Sequence, residues 1–221
     1  MSVRRKVAVE LGVLAVIATV FLLLFPRRSV IVDVGLAAVA LVALALSAGY
    51  TRRVIWAALP PPVIEKRFQR CLKVTLWITV PTALLFLLIG GFVAYRNGGW
   101  LAAAERVFNW RILVAFGCYL PWALMQQTLF QFYLLGRLLA LLPEGQPRLA
   151  VVLTGISYSL VHLPDVWTTL ATAAAGIVWC SLYYRYRLLL PLAFAHAALG
   201  SAFYYGVLGR DLAAEWKALL Q

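Results

Sequence analysis

The sequence predicts an all-α fold: a polytopic bundle of about seven membrane-spanning helices that encloses a polar cavity within the bilayer. Of the 221 residues, 64% are hydrophobic and only 13% are charged, whereas an ordinary soluble domain has about 25% charged residues. Apolar runs of roughly 20 residues, the length that crosses the hydrocarbon core as a helix, recur along almost the whole chain. Three of these runs carry polar residues at helical spacing. The chain therefore has room for one compact bundle and for no separate soluble domain.

Each predicted helix is an apolar run bounded by charged residues, glycine or proline. The seven runs cover residues 7–25, 29–49, 72–95, 111–141, 149–163, 165–185 and 188–207. The first run resembles the core of a signal peptide, but it ends at Pro26 without a small-residue cleavage site, which predicts an uncleaved span. Segment 50–70 contains three consecutive prolines and mixed charges, so we expect it at the membrane interface. Segment 96–110 opens on a predicted turn and continues as a short amphipathic helix.

The fourth and fifth helices differ in length in a way that predicts the cavity. The fourth is about 31 residues, or roughly 46 Å, so it must tilt, project from the membrane or kink, and Pro121 offers the kink. The fifth is short and ends in a predicted turn, His162–Asp165, below the membrane surface. A short helix beside a long one, with polar residues on both, is typical of a cavity rather than of a plain bundle.

The distribution of charge indicates the topology. The net charge is +12, and the basic residues form short clusters between the apolar runs. Most of the 20 Lys and Arg residues belong to the N-terminus and to the second, fourth and sixth loops, which places the N-terminus and segment 50–70 in the cytoplasm. Such clusters also favour contact with anionic lipids. We expect no nucleic-acid partner, because no recognition motif or soluble module accompanies the charge.

The cysteines indicate neither disulfides nor a metal site. Cys71, Cys118 and Cys180 fall within or at the ends of apolar runs, and their number is odd. No pair has the spacing of zinc ligands. We therefore interpret them as small core residues and expect no metal.

Polar residues inside the apolar runs are the candidates for a functional site. The first group is Gln126, Gln127 and Gln131, in which Gln127 and Gln131 share a helical face and Gln126 points about 100° away. An amide in hydrocarbon is unfavourable unless it is hydrogen-bonded. Glu10 and Asp33 also lie in apolar runs, but near basic clusters at the ends of spans, so we expect them to pair or to reach the interface there.

The other polar groups lie on the fifth and seventh helices. The fifth carries a stripe at three- and four-residue spacing, made of Thr154, Tyr158, Ser159 and His162. On the seventh, His196 lies among alanines and glycine, which allow another helix to approach closely. Depths estimated from the helix ends are roughly 12 Å for His196 and about 20 Å for His162 and Gln127. Each residue alone is typical of interhelical hydrogen bonding, but together they predict one shared cavity.

The first motif resembles that of a known family. The order of a polar pair on a long helix, an aromatic-x-x-x-His helix and a His-x-x-x-polar helix resembles the CAAX-protease and bacteriocin-processing (CPBP) family of intramembrane endopeptidases. The first motif of that family is Glu-Glu-x-x-x-Arg, usually with Phe before Arg. In the same frame this chain has Gln126, Gln127, Phe130 and Gln131.

The second and third motifs follow in the family's order. Phe-x-x-x-His of the family is matched by Tyr158 and His162, and His-x-x-x-Asn is matched by His196 and Gly200. The resemblance covers roughly residues 111–207. It implies a protease-like core over this range, a variable region of spans and interfacial loops over 1–110, and a short tail over 208–221. We expect an integral protein of the bacterial inner (plasma) membrane.

The departures from the motifs predict a loss of activity. In the family the first glutamate is taken to activate water, while the histidines and Asn position water and stabilise the oxyanion. A glutamine amide has no titratable carboxylate, so Gln126 and Gln127 cannot act as general base. Gln131 lacks the arginine cation and Gly200 offers no side-chain donor. Loss of the acid alone would leave an arginine unpaired in the membrane, so the change looks concerted: the charges are removed and the hydrogen bonds kept.

The resemblance therefore implies a CAAX-type endopeptidase fold in which the standard glutamate chemistry is lost or greatly weakened. The former catalytic positions, Gln126, Gln127, His162 and His196, together with Gln131, Tyr158 and Gly200, would line a cavity that binds a membrane peptide, a prenylated tail or a partner helix. No cofactor is expected. Two alternatives stay open: a hydrolase with His162 or His196 as base, and a haem or transport protein built on the histidines.

Overall fold

Helices account for all the regular structure that a computed structural model describes, which covers residues 2–24, 30–62, 65–210 and 214. No strand occurs within these ranges. The predicted all-α fold class is therefore confirmed. The α-helices, numbered in chain order, are α1 (Val3–Leu24), α2 (Val30–Tyr50), α3 (Arg67–Val107), α4 (Arg111–Gln127), α5 (Leu135–Leu141), α6 (Pro147–Leu160), α7 (Val166–Tyr186) and α8 (Leu190–Ala202).

Three π-helical segments continue α2, α4 and α8 without a break. They are Thr51–Trp56, Thr128–Leu134 and Phe203–Val207. Since the second of them joins α4 to α5, the described residues form seven continuous helical elements, in the order that the sequence predicts. A π-helical turn inserts one extra residue into a helix and is frequent at functional sites.

Four helical stretches among the described residues are long and apolar enough to cross a membrane. They are Ala38–Trp56, Arg67–Val107, Arg111–Leu141 and Val166–Tyr186. The helix α6 has 14 residues, about 21 Å at 1.5 Å per residue, and is too short to span about 30 Å of hydrocarbon by itself. The predicted contrast between a long fourth element and a short fifth one is therefore present.

The helix α3 bends at a single glycine near its C-terminal end. Gly99 has φ 74° and ψ −165°, a backbone conformation outside the helical region that glycine adopts without a steric penalty. The break falls in segment 96–110, where the sequence predicts a turn followed by a short helix. Trp100, Phe108 and Trp110 are exposed on this segment. Tryptophan side chains prefer the level of the lipid headgroups, so Trp100 and Trp110 agree with an interfacial position.

The chain forms two compact units. The first unit comprises Met1–Val63 and Thr128–Arg187, and the second comprises Ile64–Gln127 and Leu188–Gln221. The chain passes from the second unit to the first between Gln127 and Thr128, inside the first motif. The division by sequence into 1–110, 111–207 and 208–221 concerns family resemblance rather than compactness and stays a prediction.

Small residues allow the helices of each unit to pack closely. In the first unit, a Cβ atom on Gly155 of α6 would lie 2.7 Å from the backbone nitrogen of Ile177 in α7. In the second unit, a Cβ atom on Gly206 would lie 2.7 Å from the backbone oxygen of Phe86 in α3. Both distances are too short for a real side chain. Packing through glycine is characteristic of helices in membranes, where van der Waals contact rather than the hydrophobic effect drives association.

Candidate functional site

The first motif lies where α4 changes from α-helix to π-helix. Gln126 and Gln127 are the last two residues of α4, and Gln131 lies in the middle of Thr128–Leu134. The α-helix runs through Pro121, the predicted kink position, and changes its hydrogen-bond pattern only at Thr128. All three glutamines are buried, with exposed fractions of 7% for Gln126 and 1% for each of the others.

In the second unit, Gln127 and His196 contact each other directly. The distance from Gln127 Nε2 to His196 Nδ1 is 3.3 Å, and that from Tyr119 Oη to His196 Nε2 is 3.5 Å. The Tyr119 and His196 rings also meet edge to face, at 5.5 Å between centroids. With the Gln127 amide as donor to Nδ1, a neutral His196 carries its proton on Nε2 and can donate it to the tyrosine oxygen. Two neutral groups therefore hold the ring of the third-motif histidine.

Tyr119 occupies the space beside Gly200, the position where the family has Asn. A Cβ atom on Gly200 would lie 2.6 Å from Tyr119 Cε1, so no side chain fits there unless the tyrosine moves. Tyr119 is buried in a small core with Ala123 and Ala197, which restricts such a movement. The phenol of Tyr119 thus occupies the space beside position 200, where the family has an Asn side chain, and it contacts His196.

Tyr119 belongs to none of the three motifs that the sequence predicts. A signal was present, because Tyr119 precedes Gln126 by roughly two helical turns and therefore lies on a similar face of α4. Tyrosine is common in apolar helices, however, and the packing against Gly200 becomes visible only in three dimensions.

In the first unit, the second motif packs against the residue next to Gln131. The Tyr158 ring meets the ring of Phe130 at 5.0 Å and that of His162 at 5.9 Å, edge to face in both cases. His162 lies in the turn that follows α6, where its backbone N–H donates to the Ser159 carbonyl at 2.9 Å. Gln131 Nε2 donates to Cys180 Sγ of α7 at 3.6 Å. The first and second motifs therefore meet through aromatic contact.

The predicted polar stripe on α6 is only partly available to a ligand. The hydroxyl group of Thr154 donates to the Ala150 carbonyl at 2.7 Å, and that of Ser159 donates to the Ile156 carbonyl at 2.8 Å. Both hydroxyl hydrogens are thus used within the helix itself. Of the stripe, Tyr158 and His162 are the residues that contact other side chains of the candidate site.

Each of the three motif glutamines has a side-chain carbonyl oxygen without a hydrogen-bond donor among the described residues. The Oε1 atoms of Gln126, Gln127 and Gln131 are buried and accept no hydrogen bond from the described residues. A buried acceptor without a donor is unfavourable by about 1–3 kcal/mol, and such atoms are usually satisfied by water or a ligand. In the second unit, Gln126 and Gln127 therefore offer two carbonyl oxygens to an incoming N–H or O–H group, and in the first unit Gln131 offers one.

A charged cluster in the first unit lies outside the three motifs. Glu10 of α1 accepts a hydrogen bond from the Tyr133 hydroxyl and forms an ion pair with Arg137 of α5, at 3.3 Å between Oε1 and Nη2. Nη1 of Arg137 donates to the Thr51 hydroxyl at 2.5 Å. The expected pairing of Glu10 is therefore present, but its partner is Arg137 rather than the N-terminal basic cluster. The other acid, Asp33, has a side chain outside the described part of the structure.

The histidine contacts bear on metal and haem binding. Among the described residues, no group of three or more His, Cys, Asp or Glu side chains is arranged to hold a metal ion. Both ring nitrogens of His196 have polar protein neighbours, Gln127 and Tyr119. Coordination of iron by His196 would first have to break one of these contacts.

Comparison with known families agrees with the motif pattern. Residues 108–201 match the Rce1-like family model, whose description is Type II CAAX prenyl endopeptidase Rce1-like. No curated protein and no solved structure matches the chain. The matched range contains every motif position from Gln126 to Gly200, and it confirms the resemblance that the motifs predict. Residues 108–201 are thus similar to the Rce1-like family, which is described as type II CAAX prenyl endopeptidases.

Proposed function

We propose that this membrane protein has lost, or retains only weakly, the glutamate-dependent proteolysis of CAAX prenyl endopeptidases. Its glutamine site instead binds a membrane peptide, such as a prenylated tail or a partner helix. The impairment is supported by the residue types at the motif positions, and the binding role by the hydrogen-bonding state of the glutamines.

The chemistry of the motif residues supports the loss of proteolysis. Activation of water for attack on a peptide bond requires a group that accepts its proton, and the amides of Gln126 and Gln127 do not titrate. In catalytic triads a carboxylate orients the histidine and stabilises the imidazolium that forms. His196 has instead a neutral amide and a neutral phenol as neighbours. These partners orient the ring but supply no negative charge.

The observation that carries the binding role is that three buried glutamine Oε1 atoms have no hydrogen-bond donor in the part of the chain that the structure describes. A peptide backbone presents one N–H donor per residue, and in the membrane these donors also need partners. A peptide bound beside Gln126 and Gln127 of the second unit would satisfy their Oε1 atoms and its own N–H groups at the same time, and the Oε1 atom of Gln131 in the first unit can accept from a peptide in the same way. The glutamines are thus suited to recognise a backbone rather than to cut it.

We expect the unaltered protein in liposomes to capture a farnesylated peptide that carries a photoreactive group, and to leave that peptide intact. The substitution Gln127→Leu removes one amide and should weaken capture about two- to tenfold, the value of one net hydrogen bond. Photo-cross-linking measures capture, and mass spectrometry of the recovered peptide measures cleavage.

The matched control is Gln146→Leu, because Gln146 is exposed and precedes α6 outside the motifs. Capture should be unchanged in this variant. Robust cleavage by the unaltered protein that is abolished by His162→Ala would contradict the proposal and show that a histidine carries the chemistry.

We further propose that the N-terminus and segment 50–70 face the cytoplasm in the inner (plasma) membrane of a bacterium. The excess of Lys and Arg in these regions supports this orientation. In a Cys118→Ala background, a membrane-impermeant thiol reagent added outside intact cells should modify Asn97→Cys but not Ala58→Cys. Both positions are exposed on the protein surface. Modification of Ala58→Cys from the outside would reverse the orientation.

A further inference from the structure

One exposed stripe runs along α2 and into the π-helical segment Thr51–Trp56, from an apolar surface to an arginine. Val39, Val42 and Leu46 have exposed fractions of 67%, 59% and 83%. Gly49 and Arg53 continue the same three- and four-residue spacing, so the five positions follow one face of the helix over roughly 21 Å. These three apolar residues lie within Ala38–Trp56, a stretch long and apolar enough to cross the membrane.

A cleft opens at the arginine end of this stripe. Its volume is about 410 Å³, and it is lined by Ala48, Gly49, Arg52, Arg53 and Phe132. No atom outside the local helix lies within 4 Å of the position that a Cβ atom on Gly49 would take, so the glycine leaves open space at the floor of the cleft. The opposite wall is fixed, because Trp56 Nε1 donates to the Phe132 carbonyl at 2.7 Å.

The two arginines of the cleft are available to a ligand. Arg52 and Arg53 are exposed, and no ion pair or hydrogen bond to another described residue holds either guanidinium group. Guanidinium groups bind phosphate oxygens through paired hydrogen bonds. A pair of such groups at the end of a membrane-spanning stretch lies at the level where lipid headgroups carry their phosphates.

We propose that this cleft is a binding site for one acidic phospholipid. The phosphate is held by Arg52 and Arg53 over the space left by Gly49, and an acyl chain follows Val39, Val42 and Leu46. A soluble anion would use only the arginines, whereas a lipid uses the whole stripe, charged end and apolar part alike. The site is separate from the glutamine site of the proposed function, although Phe132 places it beside the π-helical segment that carries Gln131.

The test is native mass spectrometry of the detergent-solubilised protein, titrated with phosphatidylglycerol or with phosphatidylcholine of the same acyl chains. We expect one phosphatidylglycerol molecule to bind at least tenfold more tightly than phosphatidylcholine. Two arginines near a membrane surface raise the affinity for an anionic lipid about thirtyfold. The double variant Arg52→Gln/Arg53→Gln should lose that preference.

Two further variants keep the test specific. Gly49→Leu fills the floor of the cleft and leaves both arginines in place, and its Cβ atom has no neighbouring atom within 4 Å. We expect it to weaken phosphatidylglycerol binding at least tenfold. Lys66→Gln/Arg67→Gln removes the same charge from another exposed basic pair and should leave binding unchanged. Equal losses in both double variants, or unaltered binding in Gly49→Leu, would overturn the site. Displacement of the lipid by millimolar inorganic phosphate would assign the cleft to a soluble anion instead.

Discussion

Glu10→Leu is expected to lower the free energy of unfolding by about 3–5 kcal/mol, the usual effect of removing one partner from a buried ion pair. Arg137 is only 1% exposed, while Glu10 is 31% exposed. Without the carboxylate, the guanidinium keeps the Thr51 hydroxyl and the face of the Tyr133 ring, whose centroid lies 4.0 Å from Cζ. Neither group carries a negative charge, so a buried cation would be left uncompensated.

The double variant Glu10→Leu/Arg137→Met separates this explanation from simple loss of packing. Replacement of both partners by apolar residues of similar volume is often neutral or stabilising. The double variant should therefore recover most of the stability that Glu10→Leu loses. The measurement is reversible unfolding in a mixed-detergent titration. The control Glu144→Gln, at an exposed loop position, should change stability by less than about 0.5 kcal/mol. If Glu10→Leu behaves like this control, the ion pair does not hold α1 to α5.

This ion pair shows what the sequence could not reveal. Glu10 and Arg137 are separated by 127 positions along the chain, and hydropathy places each of them near the end of an apolar run. Such a pattern predicts a local partner for an acid beside the basic residues at positions 4–6. Only the packing of α1 against α5 brings the distant arginine within reach, so the partner was predicted wrongly although the pairing was predicted correctly.

The motifs were easier to predict because helical spacing fixes their local geometry. Tyr158 and His162 are four positions apart, and their rings do meet at 5.9 Å. The all-α fold follows from apolar runs of membrane-spanning length for a similar reason. The sequence pattern does not predict the π-helical segment Thr128–Leu134. The hydrogen bonds of a π-helix span one residue more than those of an α-helix. In this π-helix, Phe130 packs on Tyr158, which is distant along the chain.

Restoring the charges of the first motif should create proteolysis. The variant Gln126→Glu/Gln127→Glu/Gln131→Arg is expected to cleave a farnesylated CAAX-type peptide roughly 10²–10⁴ times faster than the unaltered protein, the usual effect of a positioned general base. The arginine must accompany the acids, because unpaired carboxyl groups in the membrane would be protonated or destabilising. Arginine is larger than glutamine, and Gln131 contacts the Cys180 thiol, so Cys180→Ala provides the room.

Restoring the third motif requires a change at Tyr119 as well. Gly200→Asn alone would bring its Cβ atom to within 2.6 Å of Tyr119 Cε1, and overpacking of this kind typically destabilises by about 1–3 kcal/mol. Gly200→Asn combined with Tyr119→Leu removes the conflict and supplies the amide donor beside His196. We expect the combined change to raise turnover of the charge-restored variant further, and Gly200→Asn alone to lower its stability.

The decisive comparison measures capture and cleavage on the same peptide. A matched variant, Gln126→Glu/Gln127→Glu/Gln131→Leu, contains the acids without the cation and should stay inactive, since its carboxyl groups have no positive partner. Photo-cross-linking establishes that each variant still binds the peptide, and mass spectrometry under single-turnover conditions measures the cut. A charge-restored variant that captures the peptide as well as the unaltered protein and leaves it whole would contradict the idea that the amides alone block the reaction. Cleavage that depends on both the acids and Arg at position 131 would show that the present glutamines are the neutral form of a carboxylate–arginine site.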